Sequence, residues 1–185
     1  MVYEFFGNGF EDIEAISVLD VLGRGGIEVT KVGVGSNDIV SRSGLHIKTD
    51  ITDSGFVLPD DAQALVIPGG PGTAELEKCE ALKAAAVKCA EKNILLCAVC
   101  AAPMIIGHLG LLKGKRATCF PGHEKDLYGA IVETSSYVVT DGSIITAKGA
   151  GVSVDFALAV LTALKGAGTA MSVSEKMQCK KEEIS

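Results

Sequence analysis

The chain alternates between short apolar runs and segments whose apolar residues recur every three or four positions. Residues 2–6 form a strand-like run that ends at Gly7. Residues 12–22 carry Ile13, Ile16 and Leu19 in helical register, with Val18 and Leu22 four apart. They stop at Gly25-Gly26, which predicts a helix with a glycine terminator. Residues 28–34 are β-rich and end at Gly35. Residues 39–42 and 45–48 flank Ser43-Gly44 as a hairpin, and residues 64–67 form a short strand running into Pro68-Gly-Gly-Pro-Gly72. Residues 73–92 read as one helix with Cys79, Leu82, Ala86 and Cys89 on a single stripe. Residues 94–99 are continuously apolar, as in a strand buried on both faces. A helix is expected over residues 101–112 and a strand over 116–120. Residues 138–140 and 144–147 bracket Asp141-Gly142 as a hairpin, residues 156–164 are helical, and a polar helical tail ends at Ser185.

Alternating strands and helices with right-handed crossovers give a mostly parallel sheet covered on both faces. The expected fold is therefore α/β: a single domain over residues 1–185, a flavodoxin-like α/β/α sandwich with a mostly parallel sheet. Such sheets bind ligands beyond the carboxyl ends of their strands, at the switch point. That directs attention to residues 7–14, 68–73, 100–103 and 120–123.

Composition narrows the function classes. The 185 residues are 48% hydrophobic and 22% charged, which is globular and not disordered. The 22 glycines exceed the usual ~7% and follow no period, so they mark tight turns. A net charge of −6 argues against a nucleic-acid binder. The N-terminus has no basic region, and the longest apolar run, residues 94–106, falls short of the ~20 residues a membrane span needs. A cytoplasmic protein without membrane or nucleic-acid partners is expected, with its six cysteines reduced.

One cysteine has a distinctive setting. In Leu95-Leu-Cys-Ala-Val-Cys100-Ala-Ala-Pro103, Cys100 follows a buried strand and opens a helix. Ala98 and Ala102 leave room for a sharp turn, and Pro103 suits a helix's first turn, so the segment has the layout of a nucleophile elbow. The helix dipole and its free N–H groups are expected to favour the thiolate. A free thiol at pKa ~8.5 is only about 3% ionised at pH 7. The competing readings are an inert core thiol, a Cys97-x-x-Cys100 redox pair, and a zinc site from Cys97, Cys100, Cys119 and His123. Cys97 lies inside the apolar strand, which disfavours the last two. Phosphate-loop patterns fail: residues 110–115 do not match G-x4-G-K-[ST], and Asp38 stands where a dinucleotide motif needs glycine. The amides of residues 68–72 could face an oxyanion beside Cys100. Glu11, Asp12 and Glu14 open the first helix. The first two read as capping charge, whereas a buried Glu14 would have a raised pKa and could donate a hydrogen bond to the thiolate.

Four segments in order resemble the ThiJ/PfpI superfamily, in the branch of the parkinsonism-associated protein deglycase and its bacterial relatives. They are Gly9-Phe-Glu-Asp-Ile-Glu14-Ala, Ile67-Pro-Gly-Gly70, Ala98-Val-Cys100-Ala-Ala-Pro103, and Lys148-Gly-Ala-Gly151 before Asp155-Phe156-Ala157. The resemblance covers nearly the whole chain and implies a class I glutamine amidotransferase-like fold. It implies an oxidation-prone nucleophile Cys100, a protonated Glu14 bonded to it, and backbone amides of Gly70 and Ala101 at the reacting centre. It also implies a homodimer and neither cofactor nor metal. The implied activities are glyoxalase- or deglycase-type chemistry on small reactive aldehydes or glycated groups. The alternatives are peroxide sensing through Cys100 and holdase chaperone action, and some bacterial members carry a thiazole-monophosphate biosynthesis label. Two positions depart from the pattern: Ala101 replaces the histidine of the peptidase branch, and Phe120 replaces a histidine before Pro121. Peptidase activity is therefore not expected. Cys119, Phe120 and His123 remain candidates for lining the pocket. His46 and His108 read as structural.

Overall fold

The computed structural model describes residues 1–180. In chain order its elements are β1 (Val2–Phe6), α1 (Asp12–Arg24), β2 (Val29–Gly33), β3 (Asp38–Val40), β4 (His46–Lys48), β5 (Ile51–Thr52) and β6 (Ala64–Ile67). There follow α2 (Thr73–Leu76), α3 (Glu80–Lys92), β7 (Leu95–Val99), α4 (Pro103–His108), β8 (Arg116–Ala117) and β9 (Ile131–Val132). The chain continues through β10 (Val138–Asp141), β11 (Ile144–Ala147), α5 (Ser153–Lys165) and α6 (Ala167–Lys176). Seven strands form one sheet in the order β10-β11-β7-β6-β1-β2-β5, parallel throughout except for β10 against β11. The core order β2-β1-β6-β7-β11 is the flavodoxin-like winding. Its switch point lies between β1 and β6, so the carboxyl ends of β1, β6 and β7 converge.

Strand alternation divides the interior into two layers. Leu65 and Ile67 of β6 and Leu96 and Ala98 of β7 pack with Leu82, Ala85, Ala86 and Cys89 of α3 and with Ile105 and Ile106 of α4. Ala64, Val66, Leu95, Cys97 and Val99 face the opposite layer. There they meet Val18, Val21 and Leu22 of α1 and Phe156, Val160 and Leu161 of α5. A central strand that is apolar at every position is what this arrangement requires. Among the described residues no helix is long and apolar enough to cross a membrane.

Several elements differ from the sequence reading. The helix expected over residues 73–92 breaks into α2 and α3, with Cys79 extended between them. Leu76 and Leu82 are both fully buried in the same layer. Six positions apart on one continuous helix they would point to different faces, so the break admits both. The helix expected over 101–112 is only α4, because Cys100 to Ala102 form the turn and Gly110 takes a left-handed conformation. The strand at 116–120 shrinks to β8, which pairs with the unforeseen β9. The tail is helical to Lys176, and its last five positions, 181–185, lie outside the described residues. Both hairpins form where turn chemistry placed them.

Glu4 breaks the apolar pattern of β1. It is fully buried, and neither carboxyl oxygen has a hydrogen-bond partner. Its sheet neighbours are Lys31 and Val66, but the Lys31 ammonium pairs with Asp50 at 2.8 Å. Burial holds the Glu4 carboxyl well above its ordinary 4.5, with Lys31 opposing only in part. The neutral form is therefore the folded one. Its contribution to stability is full below about pH 4.5 and declines as pH rises toward the folded pKa. Urea titrations should show Glu4→Gln losing less stability than wild type between pH 5 and 8.5. Glu4→Leu should gain about 1–3 kcal/mol at pH 8 by removing an unsatisfied buried acid. Equal pH slopes in all three proteins would refute this account.

Candidate functional site

At the end of β7 the chain turns sharply. Cys100 adopts φ 65°, a left-handed conformation rare for a side-chain-bearing residue and costing about 1–3 kcal/mol. Its backbone is nonetheless fully engaged: the amide donates to Ala147 O at 2.9 Å, and the carbonyl accepts from Phe120 N at 2.8 Å. Val99 and Ala102 on either side of the turn are fully buried, and Pro103 opens α4 at its first position. The structure thus has the nucleophile-elbow backbone, with the thiol partly exposed above the sheet.

Glu14 arrives from the first turn of α1 and is fully buried. Its Oε2 accepts the Gly69 amide at 2.9 Å, while Oε1 has no hydrogen-bond partner. Gly69 is required by space: a side-chain carbon there would stand 2.6 Å from Cys100 Cβ and 2.7 Å from Glu14 Oε2. Gly70 is required by both φ 89° and crowding against Glu11 N and Gly9 O. Gly69 lets the β6 loop lie against the Cys100 and Glu14 side chains, and Gly70 lets it lie against the backbone between β1 and α1.

The electrostatics agree with the sequence expectation at Glu14 and differ from it at Cys100. Burial raises Glu14 from 4.5 to about 7, against the lowering effects of the Cys100 thiol and the Gly69 amide. Burial and the adjacent Glu14 push the Cys100 thiol up to about 12, while the amides of Gly70 and Ala101 pull it down. No helix dipole rescues the thiolate, because α4 has six residues and begins three positions later. Two acids this close titrate as a pair, so the ionisation near 7 belongs to both. The first negative charge favours Glu14, and the Gly70 and Ala101 amides only lessen the rise of the thiol.

The remaining candidates divide. The Ala101 and Gly70 amides lie at the thiol. Phe120 is half exposed, and its ring faces Gly149 beside Cys100. Cys119 is buried, and burial pushes its thiol up to about 12. His123 Nδ1 lies 3.5 Å from Asp126 Oδ2 and is buried without a hydrogen-bond partner. His108 pairs with Glu77 and His46 with Asp38. Cys97 is fully buried within β7, and burial holds its thiol well above the ordinary value. Gly149 and Arg42 are two contributors to which the sequence assigned no role. Arg42 reaches Glu11 at 2.7 Å from the β3–β4 hairpin, a contact no local pattern announces.

The DJ-1/PfpI family model matches residues 1–163. The chain is 35% identical over 175 residues to Protein DJ-1 homolog B of Arabidopsis thaliana, covering 90% of this chain and 39% of that protein. It therefore spans about two-fifths of that relative's length. It is 30% identical over 157 residues to Glutathione-independent glyoxalase DJR-1.2 of Caenorhabditis elegans, covering 84% of this chain and 83% of that one. It is 31% identical over 145 residues to Deglycase PfpI of Pyrococcus furiosus, covering 78% and 87%. Among solved structures, oxidized Toxoplasma gondii DJ-1 superposes with a TM-score of 0.88 at 25% identity, covering 96% of this chain and 97% of that one.

The paired titration has a direct readout. The rate of Cys100 alkylation by iodoacetamide should rise with pH and inflect near 7, the value held by Glu14. In Glu14→Gln that inflection should disappear and reactivity should rise only at higher pH, read by mass spectrometry of the labelled peptide. An unchanged profile would show that the two groups do not share a proton.

Proposed function

The chain belongs to the DJ-1/PfpI family, and from that premise we propose that it is a cysteine-dependent, cofactor-independent enzyme of reactive-carbonyl defence. It converts 2-oxoaldehydes such as methylglyoxal to 2-hydroxy acids, or removes the adducts they form. The observation that carries the reading is a partly exposed thiol on a strained turn beside a buried acid with one free oxygen. The glyoxalase and deglycase names of two relatives at about 30% identity support it.

The chemistry needs only these groups. Sulfur adds to the aldehyde carbon, and the carbonyl electron pair moves to oxygen beside the Gly70 and Ala101 amides. The thiol proton passes through Glu14 to that oxygen, giving a hemithioacetal. Glu14 then takes the proton from the former aldehyde carbon and returns it to the neighbouring carbon, while the hemithioacetal hydroxyl proton passes to the ketone oxygen. The first carbon is thereby oxidised to a thioester as the second is reduced to an alcohol. Water cleaves the thioester, releasing the hydroxy acid and restoring the thiol. A group with a pKa of about 7 suits both halves of this transfer. The homodimer implied by the family resemblance belongs to the same proposal, with the exposed Ile13 of α1 available to such an interface.

A second reading, Cys100 oxidation as a redox or chaperone switch, is favoured by the oxidized state of one solved relative. Peroxide would supply the two oxygens of a sulfinate, which a protonated Glu14 stabilises by donating a hydrogen bond.

Incubation with methylglyoxal should yield lactate, and Cys100→Ala should lower the rate by at least about 100-fold. Turnover by Cys100→Ala at the wild-type rate would end the enzymatic reading. For the switch, sub-millimolar peroxide should add two oxygens at Cys100, and Glu14→Leu should reduce that gain. Equal gain in both proteins would count against it.

A further inference from the structure

A groove opens beside the thiol, and Gly149 keeps its inner end clear. A side-chain carbon at Gly149 would lie 3.8 Å from Cys100 Sγ, 3.8 Å from Glu14 Oε1 and 3.3 Å from the Phe120 ring. One point in space is thus within reach of the nucleophile, of the unpartnered oxygen of a fully buried acid, and of an aromatic ring. Gly149 also lines a groove of about 500 Å³ whose other walls include Phe120, Pro121, Tyr137 and Val152, so this residue joins the groove to the thiol and the acid.

The walls define what the groove accepts. Phe120 is 49% and Tyr137 64% exposed, so each ring is available without disturbing the core. Of the residues lining the groove, only Lys148 is charged. Its ammonium is already engaged, donating to Thr134 O and lying 4.8 Å over the Tyr137 ring. Neither contact neutralises that charge, so the groove is an apolar slot with one cation beside the Tyr137 ring. A methyl group would leave most of the groove wet. A flat apolar ring would cover both aromatic faces and expel that water.

We infer that this groove holds the substituent of the carbonyl substrate and selects 2-oxoaldehydes bearing an aryl or comparably large apolar group over methylglyoxal. The inference rests on the proposed reaction and names its substrate class. The chemistry is unchanged: phenylglyoxal plus one water gives mandelate, with the aldehyde carbon oxidised and the ketone carbon reduced. Tyr137 touches only the substituent, so it acts through the ratio between substrates and not through the chemical step.

The test measures kcat/KM for phenylglyoxal and methylglyoxal in wild type, Tyr137→Ala and Tyr137→Phe. Comparing ratios between variants cancels the different intrinsic reactivity of the two aldehydes. Wild type should prefer phenylglyoxal by about tenfold. Tyr137→Ala should cut that ratio by roughly threefold or more, and Tyr137→Phe, which keeps the ring, should preserve it. A ratio unmoved by Tyr137→Ala overturns the inference while leaving the reaction intact. Binding of mandelate and lactate, followed by amide shifts at Phe120, Tyr137 and Val152, reads the groove without turnover. If neither aldehyde is consumed, the proposed reaction fails. Tighter binding of mandelate than lactate, lost in Tyr137→Ala, then still supports the groove, and equal binding overturns it.

Discussion

The contact on which the site depends is the one between Glu14 and the backbone at Gly69. A carboxyl with no exposure to water is held by a single 2.9 Å bond from the amide of a glycine whose missing side chain leaves room for Cys100. That closeness exists because β1, β6 and β7 lie side by side in parallel and end at one level. The three loops that follow them supply the acid, the amide and the thiol. The arrangement is mutually braced: Gly69 O accepts Glu11 N, and Glu11 holds Arg42 of the β3–β4 hairpin. Asp12 accepts the hydroxyls of Ser41 and Ser43 from the same hairpin. Two of the three carboxylates at the start of α1 therefore anchor the helix, and the third faces the thiol.

Much of this was legible in the sequence where the determinants are local. An unbroken apolar run followed by Cys100 between small residues and then Pro103 specifies a buried strand and an elbow, because sterics at three adjacent positions suffice. The Pro68-Gly-Gly run likewise marked a backbone-rich loop. Other features depend on residues far apart in the chain. The break before α3 arises because Leu76 and Leu82 share one core layer, and the pairing of His123 depends on where Asp126 falls. Tyr137 reaches the groove only through the register of β10 on β11. The thiol's electrostatics were misjudged for a related reason. A dipole argument is local, whereas desolvation depends on everything packed around the atom.

Family membership constrains the fold more tightly than the chemistry, since one fold hosts many activities. At the position before Pro121, where the resemblance leads one to expect a histidine, this chain has Phe120, whose apolar ring lies against Gly149. With Phe120 at that position, the proposed reaction assigns proton movement to Glu14. In the proposed reaction a single shared acid–base group has one advantage: its free oxygen can serve successive transfers without a second residue changing state. It also imposes a requirement, since the group must be near its midpoint at the working pH.

The contrast with Glu4 shows what that requirement means physically. Both acids are fully buried, both are raised by desolvation, and they lie ten positions apart on consecutive elements. Glu4 has no partner for either oxygen and sits within the apolar layer under α1 and α5, so its proton has nowhere to go. Glu14 has an amide on one oxygen, which moderates the cost of its charge, and the thiol and groove within reach of the other. Burial alone makes a carboxyl neutral and destabilising when ionised. Burial with one fixed donor and one open face makes it a group that can release and recover a proton, and the difference lies in Gly69 and Gly149, two positions whose side chains are absent.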